Sequence, residues 1–236
     1  MAESVASRLS QQLERLQAAA RASGRDPSEV RLLAVSKLQP TSAILEAYAA
    51  GQRDFGENYV QELTRKASEL GHLSDLRWHL IGHLQSNKVK VIAEVASSVQ
   101  TVDSARLGRE LGKRRQAARL TLPLDVLVEV NVSGEESKGG CTPVALAEVL
   151  EAIEAEPALR LQGLLTVPPA SAEPSSARPH FDELRRLRDA HGGARRLPEL
   201  SMGMSGDLEV AVACGSTWVR IGSAVFGERA RPGSPV

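Results

Sequence analysis

Along nearly the whole chain, apolar runs rich in β-branched residues alternate with segments whose apolar positions recur every three or four residues. That alternation constrains the fold most, because a strand, a helix and a second strand in succession pair in parallel. The runs predict strands at Arg31–Lys37, Asp54–Asn58, Arg77–Gly82, Ser98–Asp103, Leu124–Asn131, Arg160–Thr166, Arg196–Met202 and Trp218–Val225. Helical patterns fall between them at Thr41–Ala50, Val60–Leu70, Asn87–Ala96, Ala105–Leu120, Pro143–Glu154, Pro179–Ala190 and Leu208–Cys214, after a first helix near Glu3–Ala22. Pro40-Thr41 and Thr142-Pro143 read as helix starts, and Gly51, Gly71 and Gly215 as helix ends.

Eight strands with intervening helices predict an α/β fold: a single-domain (β/α)8 TIM barrel over residues 1–236, with an extra N-terminal helix. A doubly wound open sheet would carry a glycine-rich turn after its first strand, where this chain has Ser36-Lys37-Leu38-Gln39-Pro40. The stretch PPASAEPSSARP at 168–179 predicts a flexible connection after strand six, with no apolar residue to anchor it.

Twenty-nine basic residues balance twenty-nine acidic ones, so no bulk field draws the chain to nucleic acid or an anionic membrane. The basic run Lys113, Arg114, Arg115 and Arg119 reads as a solvated helix face. Cys141 and Cys214 stand far apart without a partner motif, which fits a reducing compartment. The start, MAESVASRLSQQLERL, lacks the apolar core of a signal peptide and the length of a membrane span, so the expected location is cytoplasmic.

In such a barrel the C-terminal strand ends form one mouth, where ligands bind. Strand alternation puts Leu33, Val35 and Lys37 on one face, which places an ammonium group at the top of an apolar interior if that face points inward. Burial there would favour the neutral amine, a nucleophile suited to a Schiff base with an aldehyde; the alternative is a lysine reaching out to solvent. LSMGMSGDLEVA at 200–211 predicts a strand, a turn and a helix with Ser205 as N-cap, and Gly222-Ser223 forms a second turn after strand eight. Both turns lie where this fold commonly holds phosphate, though either can be structural. A ligand carrying an aldehyde and a phosphate would satisfy both ends of the chain. Arg220 points to the same mouth, and an ion pair with Glu57 or Glu129 is the alternative use for it. His79 and His83 are four apart, but no carboxylate or cysteine at ligand spacing joins them, so no metal is expected.

The segments LLAVSK, FGENYVQE, WHLIGHLQSNK, VEVNVSGEESKGG, GLLTVPP and SMGMSGDLEVAVACGSTWVRIGSAVFGER resemble, in order, the YggS/PROSC-type pyridoxal phosphate homeostasis proteins, also called PLP-binding proteins. The resemblance spans nearly the whole chain and implies a barrel like the N-terminal domain of alanine racemase. It implies pyridoxal 5'-phosphate (PLP) as cofactor, carried on Lys37. It also implies that Ser205, Gly222 and Ser223 hold the phosphate, that Arg220 faces the pyridine nitrogen, and that Asn58 and His83 line the surroundings. Leu165-Thr166 departs from a pattern with methionine before the threonine, a volume-conserving change.

Arginine keeps its proton, so as partner of the pyridine it would weaken the ring as an electron sink. Racemisation needs a second acid/base group on the opposite face, which alanine racemase takes from a separate β-domain of a partner subunit; here only a Gly/Pro tail follows strand eight. The expectation is therefore a monomeric carrier and regulator of the vitamin B6 pool, with no catalytic residues and with apo-enzymes as recipients of PLP. Its rivals are an amino-acid racemase or Schiff-base lyase, and a barrel that binds a partner enzyme and uses PLP only structurally.

Overall fold

The computed structural model describes residues 3–135, 138–169, 171 and 173–227. Eight parallel strands close in sequence order into a barrel: β1 Arg31–Val35, β2 Asp54–Glu57, β3 Arg77–Leu80, β4 Ser98–Val102, β5 Leu124–Glu129, β6 Leu159–Leu165, β7 Glu199–Ser201 and β8 Trp218–Ile221. Closure is made by β8 on β1, with Leu33 opposite Arg220. The strands stop earlier than their apolar pattern, because the chain stays buried while leaving the ladder to build the mouth: Ser36 is fully buried one residue beyond β1. β7 starts later than predicted, since Gly193–Arg196 winds into a helical turn entered through Gly192 at φ 106°.

The helices are α1 Val5–Ala22, α2 Thr41–Ala49, α3 Val60–Glu69, α4 Val89–Val95, α5 Ala105–Ala117, α6 Leu146–Glu154, α7 Arg178–Ala190, α8 Gly193–Arg196, α9 Leu208–Ala213 and α10 Ser223–Phe226. Ser4 and Ser104 cap α1 and α5 by accepting from Ser7 N and Leu107 N. α5 ends before the predicted Leu120 because Arg119 takes a left-handed φ of 54°. The main core lies between barrel and helices. Strand residues such as Leu32, Phe55, Val126, Leu164 and Ile221 pack there against Ile44, Leu63, Ile92, Leu150 and Leu184, all nearly inaccessible. Each such side chain contributes about 1.5–3 kcal/mol by leaving water. α1 lies against α2, α9 and α10 and buries Val5, Leu9, Leu16 and Ala20.

Two expectations fail here. Arg115 is buried, not solvated: its guanidinium donates to the carbonyls of Ala93 and Leu122, tying α5 to the end of α4 and to the next loop. The proline-rich connection is anchored, because Pro174–Ala177 forms a 3-10 turn whose Ala177 joins the core; Ala170 and Ala172 lie outside the described residues, as does the tail from Glu228. Both cysteines are buried free thiols, and no helix among the described residues is long and apolar enough to cross a membrane.

Candidate functional site

Lys37 stands two residues past β1, on a turn rather than at a strand end. Ser36 N still reaches across to Gly56 O at 3.0 Å, and Gln39 N closes the turn onto Ser36 O at 3.0 Å. Between them Leu38 adopts φ 62°. Lys37 is half-buried on this turn, at the C-terminal mouth of the barrel.

The interior below it is polar, contrary to the apolar interior expected. Arg220 is buried and donates to Ser201 Oγ at 2.9 Å and to Thr166 O at 2.9 Å. Ser201 Oγ donates to Gln100 Oε1 at 2.7 Å, which turns the Gln100 amide nitrogen toward His79 Nδ1 at 3.2 Å. An amide nitrogen only donates, so Nδ1 accepts and the ring hydrogen sits on Nε2, facing Asp54 Oδ1 at 2.9 Å. Arg77 closes the line with a bidentate pair to Asp54 at 2.7 and 2.6 Å. A directed chain of hydrogen bonds thus donates from the Arg220 guanidinium down through Ser201, Gln100 and His79 to Asp54 at the barrel floor. Its members come from five separate strands, Asp54 in DFGE, His79 in RWHL, Gln100 in SVQTV, Ser201 in ELS and Arg220 in WVRI, and sequence reasoning missed the line they form. Neither carboxylate offered as an ion-pair partner for Arg220 hydrogen-bonds it: Glu57 turns outward to Lys66, and Glu129 acts only through its field. Burial lowers the Arg220 pKa to about 10, which still leaves it charged at neutral pH.

Burial alone would push the Asp54 carboxyl up, but the hydrogen bonds from Arg77 and His79 and the charge of Arg77 outweigh it and hold the group well below the usual carboxylate range. A depressed folded-state pKa contributes stability above the unfolded value of about 3.9, and that stability is lost as pH falls below it. Asp54→Asn is therefore expected to cost about 1–3 kcal/mol at pH 7 and to lose less further stability than the wild type between pH 5 and pH 3. Denaturant melts at several pH values read this directly, and parallel acid limbs for the two proteins would refute it.

At the mouth a cavity of about 340 Å³ is lined by Lys37, Asn58, Ser205, Arg220, Gly222 and Ser223. Its volume is in the range of roughly 300–1,000 Å³ usual for small-molecule sites. Val35, Ile81, Val167 and Met204 add apolar walls; all four fall within the quoted motifs, but none is among the predicted site residues. Six of the seven predicted site residues meet here. His83 does not line this cavity: it is exposed, 3.7 Å from Asp103, and lines an adjoining groove that shares Asn58. A larger depression of about 720 Å³ lies at the other end of the barrel, but its arginines are committed, Arg25 to Glu29, Arg31 to Glu199, and Arg185 and Arg188 to Asp189.

Ser205 is not the N-cap of α9. Asp207 takes that place and its Oδ1 accepts from Met204 N at 2.6 Å. Ser205 sits earlier on the turn, its carbonyl held by Arg15 at 2.9 Å. The turn begins at Gly203, φ 94°, where a Cβ would lie 2.4 Å from that of Ala211. Gly222 precedes α10, whose first turn leaves backbone N–H groups without helical partners. No group of three His, Cys, Asp or Glu side chains gathers to hold a metal ion among the described residues.

Lys37, two hydroxyls, two backbone turns and a charged guanidinium thus line one cavity at the C-terminal mouth, where ligands of (β/α)8 barrels bind. The family described as "Alanine racemase, N-terminal domain" matches residues 6–230. The pyridoxal phosphate homeostasis protein of Pseudomonas aeruginosa is 48% identical over 226 residues, 95% of this chain and 96% of that one. PipY of Synechococcus elongatus, solved with PLP bound, superposes with a TM-score of 0.82 at 36% identity, covering 94% of this chain and 100% of that one. Alanine racemase of Clostridium difficile shares the fold alone, with a TM-score of 0.69 at 12% identity over 93% of this chain and 57% of that one. The chain belongs to the pyridoxal phosphate homeostasis proteins within the alanine racemase N-terminal domain family.

Proposed function

We propose that this chain is a single-domain, monomeric, cytoplasmic PLP carrier that holds the cofactor as a Schiff base on Lys37 and supplies it to apo-enzymes. The observation that carries this reading is the cavity in which Lys37, Arg220, Ser205 and Ser223 converge. The donor set fits the group. An amine can condense with the aldehyde, forming a C=N bond with loss of water. Hydroxyls and free backbone N–H groups suit a phosphate. The open face of Gly206, where a Cβ would meet nothing within 4 Å, leaves room beside Ser205. When bound, PLP supplies an electrophilic aldehyde and an electron-withdrawing ring.

The chain's own residues limit what that ring does. Arg220 is locked by Ser201 and Thr166 and stays protonated, so it would hold the pyridine nitrogen as a donor that does not give up its proton, and the group would then supply only a weak electron sink. Asn58 would bear on the cofactor's surroundings. His83, in its adjoining groove, would contribute from outside the cavity.

After incubation with PLP and borohydride reduction, the pyridoxyl label is expected on the peptide containing Lys37; a label confined to Lys88 or Lys138 would overturn the assignment. The same preparation incubated with L-alanine and analysed on a chiral column should show trace conversion at most. Sustained turnover at ordinary enzyme rates, of order 1–10³ s⁻¹, would replace the carrier reading with a racemase.

A further inference from the structure

Lys37 lies between two residues whose backbone is gripped by buried charge. On one side Ser36 O accepts from Lys66 Nζ at 2.7 Å, and Ser36 Oγ donates to Glu57 Oε1 at 2.6 Å. On the other, Leu38 N donates to Glu62 Oε1 at 2.7 Å. Lys66 joins the two sides, since its ammonium also donates to Glu57 Oε1 and Glu62 Oε1, each at 2.8 Å. All three of its hydrogens are thereby used.

This cluster is costly. Lys66 and Glu57 are fully buried, and Glu62 is 14% exposed. Glu57 Oε2 is buried without a hydrogen-bond partner among the described residues, and burial pushes the Glu57 carboxyl up despite Lys66. An apolar pair of equal volume would often stabilise a barrel as well or better. The groups it grips are therefore the better clue to its use. A left-handed conformation is unfavourable for an L-residue, and the Leu38 side chain, 47% exposed, recovers little of that by burial. Beside the backbone bonds of Ser36 N to Gly56 O and Gln39 N to Ser36 O, the Glu62 carboxylate on Leu38 N and the Lys66 ammonium on Ser36 O hold this turn in place.

We propose that the Glu57–Lys66–Glu62 cluster positions Lys37, fixing the turn on both sides of it so that its amine points into the mouth cavity. None of the three residues lines that cavity. They act through the backbone of Ser36 and Leu38, and the inference rests on Lys37 being the point of attachment for PLP.

Glu62→Ala removes the acceptor for Leu38 N while leaving the Lys66–Glu57 pair in the core. Calorimetric titration with PLP and with pyridoxine 5'-phosphate, which keeps ring and phosphate but has an alcohol for the aldehyde, separates attachment from simple docking. PLP affinity is expected to fall about tenfold and pyridoxine 5'-phosphate affinity to change by less than about twofold. In the ligand-free protein the Leu38 amide should exchange its hydrogen faster. Glu62→Gln, whose amide oxygen can still accept from Leu38 N, should restore both measurements. Unchanged PLP affinity in Glu62→Ala, or equal loss of both ligands, overturns the proposal. Lys37→Ala in the same titrations keeps the two levels apart: if it binds PLP like the wild type, the attachment reading itself falls and takes the positioning role with it. If Lys37→Ala loses PLP and Glu62→Ala does not, the positioning role alone falls.

Discussion

Gly163→Ala is expected to leave little folded protein. Gly163 lies in β6 directly opposite Glu199 of β7, and a Cβ on it would fall 1.9 Å from Glu199 O and 2.6 Å from Glu199 C. Both are backbone atoms in a closed barrel, so neither can swing aside as a side-chain tip could. β6 and β7 would have to part at Gly163, and the neighbouring pairs Leu164 to Leu200 and Leu165 to Ser201 would part with them. A loss above about 4 kcal/mol is a large share of the 5–15 kcal/mol that holds a typical domain together. The melting point should drop by at least about 10 °C if any folded fraction survives. Circular dichroism melts decide it, and a variant melting within a few degrees of the wild type would show that the two strands can separate cheaply here.

The barrel is legible in the sequence because its strands obey two constraints at once, an apolar outer face and a helix to follow. Seven of the eight strands begin within one residue of where the pattern places them; β7 begins later, since Arg196 sits in a helical turn that an apolar count does not distinguish from a strand. The mouth is legible for the same reason, as strand order alone brings Lys37 next to Gly222 and Ser223. What the pattern hides is the use of polar residues within strands. Asp54, His79, Gln100 and Ser201 come from four separate strands and meet only when the barrel closes, so no local spacing announces their hydrogen-bonded line to Arg220. Lys66 is hidden differently: in VQELTRKASE a lysine four residues after a glutamate reads as an exposed helix pair, and only the packing of α3 on the barrel turns its ammonium inward to Ser36 and Glu57. The N-cap at Ser205 fails because Asp207, two residues on, competes for the same turn and accepts from Met204 N.

Gly222→Val is expected to do the opposite of Gly163→Ala, keeping the fold and losing the ligand. Gly222 has φ −111°, outside the left-handed region. A Cβ there would sit 3.4 Å from Val35 O and 3.6 Å from Val35 Cβ, ordinary contact distances, and stability should change by no more than about 1–2 kcal/mol. The branched methyl groups, however, would occupy the cavity beside Ser223, where on the proposed reading the phosphate would approach the first turn of α10. PLP affinity should fall by at least about a hundredfold, equivalent to losing two hydrogen bonds to a charged group. Ser205→Ala removes one hydroxyl without filling space and should cost about ten- to a hundredfold. The discriminating measurement is pyridoxal against PLP on each variant. Pyridoxal lacks the phosphate, so its weaker binding should change far less with Ser205→Ala, and an equal loss for both ligands would show that these turns do not read the phosphate.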